Sequence, residues 1–257
     1  MTIAGVPLSG GGEMPVLGFG TWQMTGRQAA EAVRLALVAG YRHIDTATMY
    51  RNEAEVGDAI RESGVGRENV FVTTKLPPNL AARARHTLDE SLRLLGTDYV
   101  DLWLIHWPVD HGASPETWRE LLAAREAGLA RNVGVSNYSP AQLDELVAVT
   151  GVVPAVNQIP WSPKHYDARL FAYHREHNIV LEGYSPFKGS DLKDPVLVEI
   201  ANAHGATAAQ VVLRWHIEKS IVVIPKSSTP ERIRANFDVD GFSLTANEVE
   251  RIDSLGR

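Results

Sequence analysis

Eight short runs of apolar or β-branched residues recur along the chain, each separated from the next by a stretch with helical periodicity. No other feature narrows the choice of folds as far. The runs are Val16–Gly20, Tyr41–Thr46, Val70–Thr74, Val100–Ile105, Asn132–Ser136, Ala155–Ile159, Val180–Tyr184 and Ile221–Pro225. Runs without apolar–polar alternation suit strands covered on both faces, as in a parallel sheet flanked by helices. Between them, Val33, Ala36 and Leu37 in one segment, and Leu88, Leu92 and Leu95 in another, recur at steps that line one helix face. Gly40 and Gly96 stand where helix C-terminal glycines are expected. With 257 residues and no long linker or break in composition, the chain is expected to form a (β/α)8 TIM barrel in one domain over residues 1–257, which typically takes about 250 residues. An open doubly wound sheet is the alternative.

Ahead of the first strand, Val6-Pro7-Leu8, the turn Gly10-Gly11-Gly12 and Met14–Gly18 predict a β-hairpin. Neither glycine cluster reads as a nucleotide loop. The triple glycine lacks the Lys-Ser/Thr of a phosphate loop, and after Gly18-Phe19-Gly20 position 23 is Gln rather than the third glycine of a dinucleotide fingerprint. That missing fingerprint also weighs against the doubly wound sheet.

The formal charge of −6 argues against nucleic acid or an anionic membrane as partner. With no cysteine, thiolate catalysis, disulfides and zinc–sulfur sites are excluded. Met1–Gly12 lacks a basic start followed by an apolar stretch, and no apolar run reaches the roughly 18–20 residues of a membrane span. A cytoplasmic protein is expected, a monomer whose partner is a small molecule.

Four polar residues fall at the ends of three successive strands: Asp45 and Tyr50, Lys75, and His106. Strand ends of a parallel barrel share one rim, so these side chains can meet. A phenol ordinarily ionises near pH 10; an ammonium beside it would lower that value and make Tyr50 a usable acid. Lys75 would supply the charge, Asp45 would hold Lys75, and His106 would donate to or orient an oxygen. Each residue also has a plainer use: Asp45 as a backbone cap, Tyr50 as a rim aromatic, Lys75 as a solvated cation, His106 as a satisfied half-buried ring. The group of four favours proton transfer. A separate turn, Lys226-Ser227-Ser228-Thr229-Pro230-Glu231-Arg232, ends a strand and opens a helix. It reads either as an anion site or as an ordinary N-cap followed by proline.

Gly40-Tyr41-Arg42-His43-Ile44-Asp45-Thr46-Ala47 followed after five residues by Glu53, Leu104-Ile105-His106-Trp107-Pro108, and Ile224-Pro225-Lys226-Ser227 resemble the three signature regions of the aldo-keto reductases. The likeness runs from the hairpin to about Asp253. It implies that Asp45, Tyr50, Lys75 and His106 match the family's catalytic tetrad. Hydride would pass from NADPH to a carbonyl carbon while Tyr50 protonates the oxygen. It also implies nicotinamide contacts at Ser136, Asn137, Gln158 and Tyr184, pyrophosphate contacts at Ser185 and Phe187, and an adenosine end at Lys226, Ser227, Arg232 and Asn236. Two cations there favour NADPH over NADH. Trp22, Met49 and Trp107, flanking the rim, are expected to line the substrate pocket, and Trp103 to lie in the barrel wall.

Departures from that family are also visible. The stretch between His106 and Trp118 is short, the chain stops at Arg257 soon after its last helix, and Pro160, Ser162 and Ala235 replace residues common among relatives. The first two suggest an open, permissive mouth, Pro160 and Ser162 leave the local wall unpredictable without touching the catalytic residues, and Ala235 suggests a looser hold on adenine. The expected function is NADPH-dependent reduction of aldehydes or ketones. An NADPH-binding redox-sensing subunit with little turnover is the second reading, and a lyase or aldolase with Lys75 as Schiff-base amine the third.

Overall fold

A computed structural model describes residues 5–188 and 190–256. Strands β1 (Gly5–Pro7) and β2 (Glu13–Pro15) pair antiparallel, Val6 opposite Met14, around a turn in which Gly11 and Gly12 take positive φ. The remaining strands are β3 (Phe19–Gly20), β4 (His43–Asp45), β5 (Phe71–Leu76), β6 (Val100–Ile105), β7 (Ala130–Ser136), β8 (Val156–Pro160), β9 (Val180–Tyr184) and β10 (Val222–Ile224). They lie parallel, each beside the next in sequence. The ring closes where β10 meets the approach to β3, through Val223 N to Val16 O at 2.8 Å and Gly18 N to Val223 O at 2.9 Å. The sequence-based choice of barrel over open sheet therefore holds.

The helices are α1 (Gly26–Ala39), α2 (Glu53–Glu62), α3 (Ala84–Leu95), α4 (Pro115–Glu126), α5 (Pro140–Thr150), α6 (Ala168–Glu176), α7 (Pro195–His204), α8 (Ala208–Glu218), α9 (Pro230–Phe237) and α10 (Ala246–Asp253). Val33, Ala36 and Leu37 of α1 and Leu88, Leu92 and Leu95 of α3 are buried against the sheet, as their spacing predicts. Gly40 and Gly96 end those helices in the left-handed conformation. Between α2 and α3 the fit is close enough to require glycine: a Cβ on Gly57 would stand 2.3 Å from the Leu95 carbonyl oxygen. The hairpin covers the far end of the barrel. Val6, Leu8, Met14 and Val16 pack there with Phe71, Leu102, Leu104, Val156 and Val222.

Boundaries differ from the sequence reading in two informative places. β3 and β4 are only 2 and 3 residues long; β4 starts late because Tyr41 is still bonded back to the end of α1 through its amide to Ala36 O, while Val16 and Gly18 ahead of β3 are bonded to Val223 where the ring closes. β5 runs on to Leu76, with Lys75 and Leu76 in register with Leu104 and Ile105. Lys75 is thus a strand residue aimed into the barrel, not one just past the strand's end. No single helix among the described residues is long and apolar enough to cross a membrane.

Candidate active site

Asp45, Tyr50, Lys75 and His106 converge at the end of the barrel where the parallel strands finish. Lys75 has no exposed surface. Its ammonium donates to both carboxylate oxygens of Asp45 at 2.6 and 2.7 Å and to the Thr46 carbonyl at 2.9 Å. Asp45, also buried, accepts a further bond from Gln158 Nε2 at 2.8 Å. Burial works against the Lys75 charge, but Asp45 and Tyr50 outweigh it and hold the ammonium above its ordinary value. Burial likewise pushes the Asp45 carboxyl up, while the ammonium and the Gln158 amide oppose that push. The ion pair is the form that satisfies every donor and acceptor shown. An amine held charged with its three hydrogens engaged is unsuited to Schiff-base chemistry, which needs a free lone pair.

Tyr50 sits on the turn after β4, with Lys75 Nζ 5.1 Å from its ring centre. Lys75 lowers the phenol's pKa as the sequence reading expects, but the net direction is the reverse: burial, the larger influence, holds Tyr50 above its ordinary value. The corrected picture is a phenol that is fully protonated at neutral pH and whose anion, once formed, is met by an ammonium. The ring of His106 lies edge-on to Tyr50, centres 5.7 Å apart. Burial and then the Lys75 charge push His106 down to about 3, so its imidazole is neutral. Its Nδ1 has no partner among the described residues.

A second set of side chains knits the neighbouring strand ends together. The Ser136 hydroxyl donates to the Gln158 carbonyl at 2.8 Å and accepts from Asn137 Nδ2 at 2.9 Å. Asn137, at φ 66°, also donates to the His106 carbonyl at 3.1 Å and accepts from the half-buried Tyr184 hydroxyl at 2.8 Å. Asn137 and Gln158 are therefore bonded to tetrad residues directly, and Ser136 and Tyr184 through them. Ser185, in the left-handed region, and Phe187, packed at the edge of the core, follow β9.

Lys226, Ser227, Arg232 and Asn236 form a separate group where β10 leads into α9. Ser227 Oγ accepts from the Thr229 amide at 3.1 Å, and Arg232 donates to Thr229 Oγ1. Thr229 is the N-cap and Pro230 the first helical residue, as expected, although the Thr229 side chain caps no backbone amide. Lys226 and Arg232 are exposed, and neither pairs with a carboxylate among the described residues.

Trp22, Met49 and Trp107 stand on the loops after β3, β4 and β6, at 48%, 54% and 45% exposure, whereas Trp103 is fully buried in the wall. Trp107 stacks on His106. Two concavities elsewhere, about 430 Å³ beside α2 and α3 and about 920 Å³ around the hairpin and the end of α8, include none of the tetrad.

The aldo/keto reductase family model matches residues 16–257. The chain belongs to this family. A curated relative, the morphine 6-dehydrogenase of Pseudomonas putida, is 45% identical over 97% of this chain and 90% of its own length. The crystal structure of an aldo/keto reductase from Brucella melitensis superposes with TM-score 0.95 at 44% identity, covering 99% of this chain and 100% of that one. The aldo-keto reductase of Bombyx mori in complex with NADP superposes with TM-score 0.92 at 35% identity, covering 99% and 93%. The chain is an oxidoreductase of a family that acts on carbonyl compounds with NADP(H).

Sequence reasoning passed over three residues of this site. Asn52 is fully buried and donates to the Thr21 and Met24 carbonyls at 3.0 and 2.8 Å while accepting from Thr46 Oγ1, tying the Trp22 loop to the Tyr50 turn. His43 and Glu182 lie inside the barrel one pleat below Asp45 and Tyr184, both without exposed surface. The signal for Glu182 was an acid in the middle of the apolar run Val180-Leu181-Glu182-Gly183-Tyr184.

Proposed function

We propose that this aldo-keto reductase uses NADPH to reduce aldehyde and ketone carbonyls to alcohols, with Tyr50 as the proton donor. The observation that carries the reading is a fully buried ammonium, fixed by Asp45 and Thr46, lying against a protonated phenol at the barrel's open rim.

The residues present suit the cofactor. Lys226 and Arg232 are two cations without acidic partners among the described residues, as a 2′-phosphate requires. Tyr184 offers a ring at the mouth, held by Asn137. Ser136, Asn137 and Gln158 bring polar groups to the same strand ends. Ser185 and Phe187 after β9, with Ser227 and Asn236 beside the cations, complete a path around the rim toward α9. When bound, NADPH supplies a hydride to the carbonyl carbon.

The chain's own residues do the rest. Tyr50 releases its proton to the carbonyl oxygen as that oxygen gains negative charge. Lys75 stabilises the tyrosinate left behind, and Asp45 keeps Lys75 charged and in place. His106, neutral throughout the working range, is suited to orient the oxygen through a hydrogen bond. It carries no extra proton to give, which leaves the acid role to Tyr50. Trp22, Met49 and Trp107 would form the apolar margin against which the substrate rests.

The test is loss of NADPH absorbance over a panel of small aldehydes, diketones, sugars and ketosteroids, with wild type and Tyr50→Phe side by side. The variant should lose nearly all kcat and bind NADPH within a few-fold of wild type. An unchanged kcat would remove Tyr50 from the role, and no turnover over the whole panel would count against the reaction class.

A further inference from the structure

Beneath the tetrad lies a carboxyl group that the reading above leaves unused. Side chains two apart on a strand share a face, so His43 stands one layer below Asp45, Thr73 one layer below Lys75, and Glu182 one layer below Tyr184. Glu182 has no exposed surface, and neither of its carboxyl oxygens has a hydrogen-bond partner among the described residues. Its near neighbour is His43, whose Nε2 is 3.7 Å from Glu182 Oε1, too far for a hydrogen bond, and 3.2 Å from Thr73 Oγ1. The far side of His43 is closed by backbone: a Cβ on Gly18 would meet its Nδ1 at 2.4 Å. In register beside Glu182 on the adjoining strands are Gln158 and Val222, both uncharged. The titratable groups facing it are thus His43 and Asp45 from β4, Lys75 from β5, and Tyr50 from the turn above.

A carboxylate in such a place would be desolvated with only the neighbouring Gln158 amide and the more distant Lys75 to compensate in part, which is costly enough that the group keeps its proton instead. The charges within the barrel then cancel, one ammonium against the Asp45 carboxylate. We propose that Glu182 is a positioning residue of the reaction: a neutral, proton-holding carboxyl under the Asp45–Lys75 pair, whose ionisation adds a second negative charge and opposes formation of the Tyr50 anion. Burial, then the Asp45 charge, push Glu182 up to about 8, while Gln158 and Lys75 pull it back in part. His43, pushed down to about 3 chiefly by burial, stays neutral and gives Glu182 no counter-charge. Glu182 in turn is among the groups that raise Tyr50.

The role as stated rests on Tyr50 being the proton-transfer group, so the test has one arm that does not. Infrared difference spectra of the wild-type protein, without substrate, should show a protonated-carboxyl stretch at neutral pH. That band should fade as pH rises through about 8 and be missing from Glu182→Gln. Absence of the band in wild type, or its survival in the variant, overturns the proposal whatever the enzyme turns over.

The second arm follows NADP⁺-dependent oxidation of a primary alcohol, where Tyr50 must lose its proton first. In Glu182→Gln the alkaline rise of kcat/KM should move to lower pH by about one unit, the expected scale for one charge removed several ångströms away at an effective dielectric near 20. Glu182→Leu, a second neutral replacement, should shift the midpoint the same way. A loss of activity equal at every pH, with the midpoint unmoved in both variants, would mark Glu182 as merely structural and refute the role.

Discussion

The proton on Glu182 has a consequence for stability that can be worked in advance. In the unfolded chain this carboxyl titrates near 4.5, whereas in the fold it keeps its proton to about 8. Below the lower value both states are protonated, and above the upper value both are ionised. Between them the folded chain holds one proton more than the unfolded chain, so stability falls as pH rises, by about 1.36 kcal/mol per unit. Across the window the loss amounts to about 5 kcal/mol. Glu182→Gln removes this titration and leaves a buried neutral amide, whose effect does not vary with pH. Urea denaturation of both proteins at intervals from about pH 4.5 to about pH 8.5 isolates the contribution, because other titrating groups cancel in the difference. The variant should gain on wild type progressively, by about 5 kcal/mol at the alkaline end relative to the acid end. A difference that stays flat across the window would mean that Glu182 is ionised in the fold, and the reasoning from unsolvated burial would fail.

Further expectations concern the tetrad, the cofactor and the packing. Lys75→Met should lower kcat for reduction severely, by about 10²-fold or more, since a unit charge about 5 Å from the phenol is worth about 3 kcal/mol at an effective dielectric of 20; a loss under three-fold would show that the charge is idle. His106 should show no titration between about pH 5 and pH 8 by NMR of its ring protons, because its pKa lies at about 3. A midpoint near 6.5 would contradict the buried, neutral assignment. Arg232→Ala should raise KM for NADPH far more than KM for NADH in steady-state assays, and equal effects would remove its 2′-phosphate role. Gly57→Ala, which places a methyl 2.3 Å from the Leu95 carbonyl, should destabilise the fold by about 1–3 kcal/mol in the same urea assay; a neutral result would show that α2 and α3 can part at no cost.

The barrel was legible because it is written in local pattern. β6 and β9 begin and end where the apolar runs do, and the glycines after α1 and α3 mark their ends. β3 and β4 were harder, since their lengths depend on where the ring closes and on how far α1 holds Tyr41, both non-local matters. The tetrad could be read from residue type and strand-end position. The direction of the Tyr50 shift could not: charges can be counted along a sequence, but the degree of burial that opposes them is set by loops folding over the site. Glu182 escaped for a related reason. Only register and the inward pleat show that it shares a layer with His43 and points beneath Asp45, rather than outward toward helices and solvent.

The hairpin packs Val6, Leu8, Met14 and Val16 as an apolar layer across the far end of the barrel. If Tyr50 is the proton donor as proposed, the proton it gives away would be returned from the rim rather than through this apolar layer. Rearming the phenol and releasing the alcohol would then share one doorway.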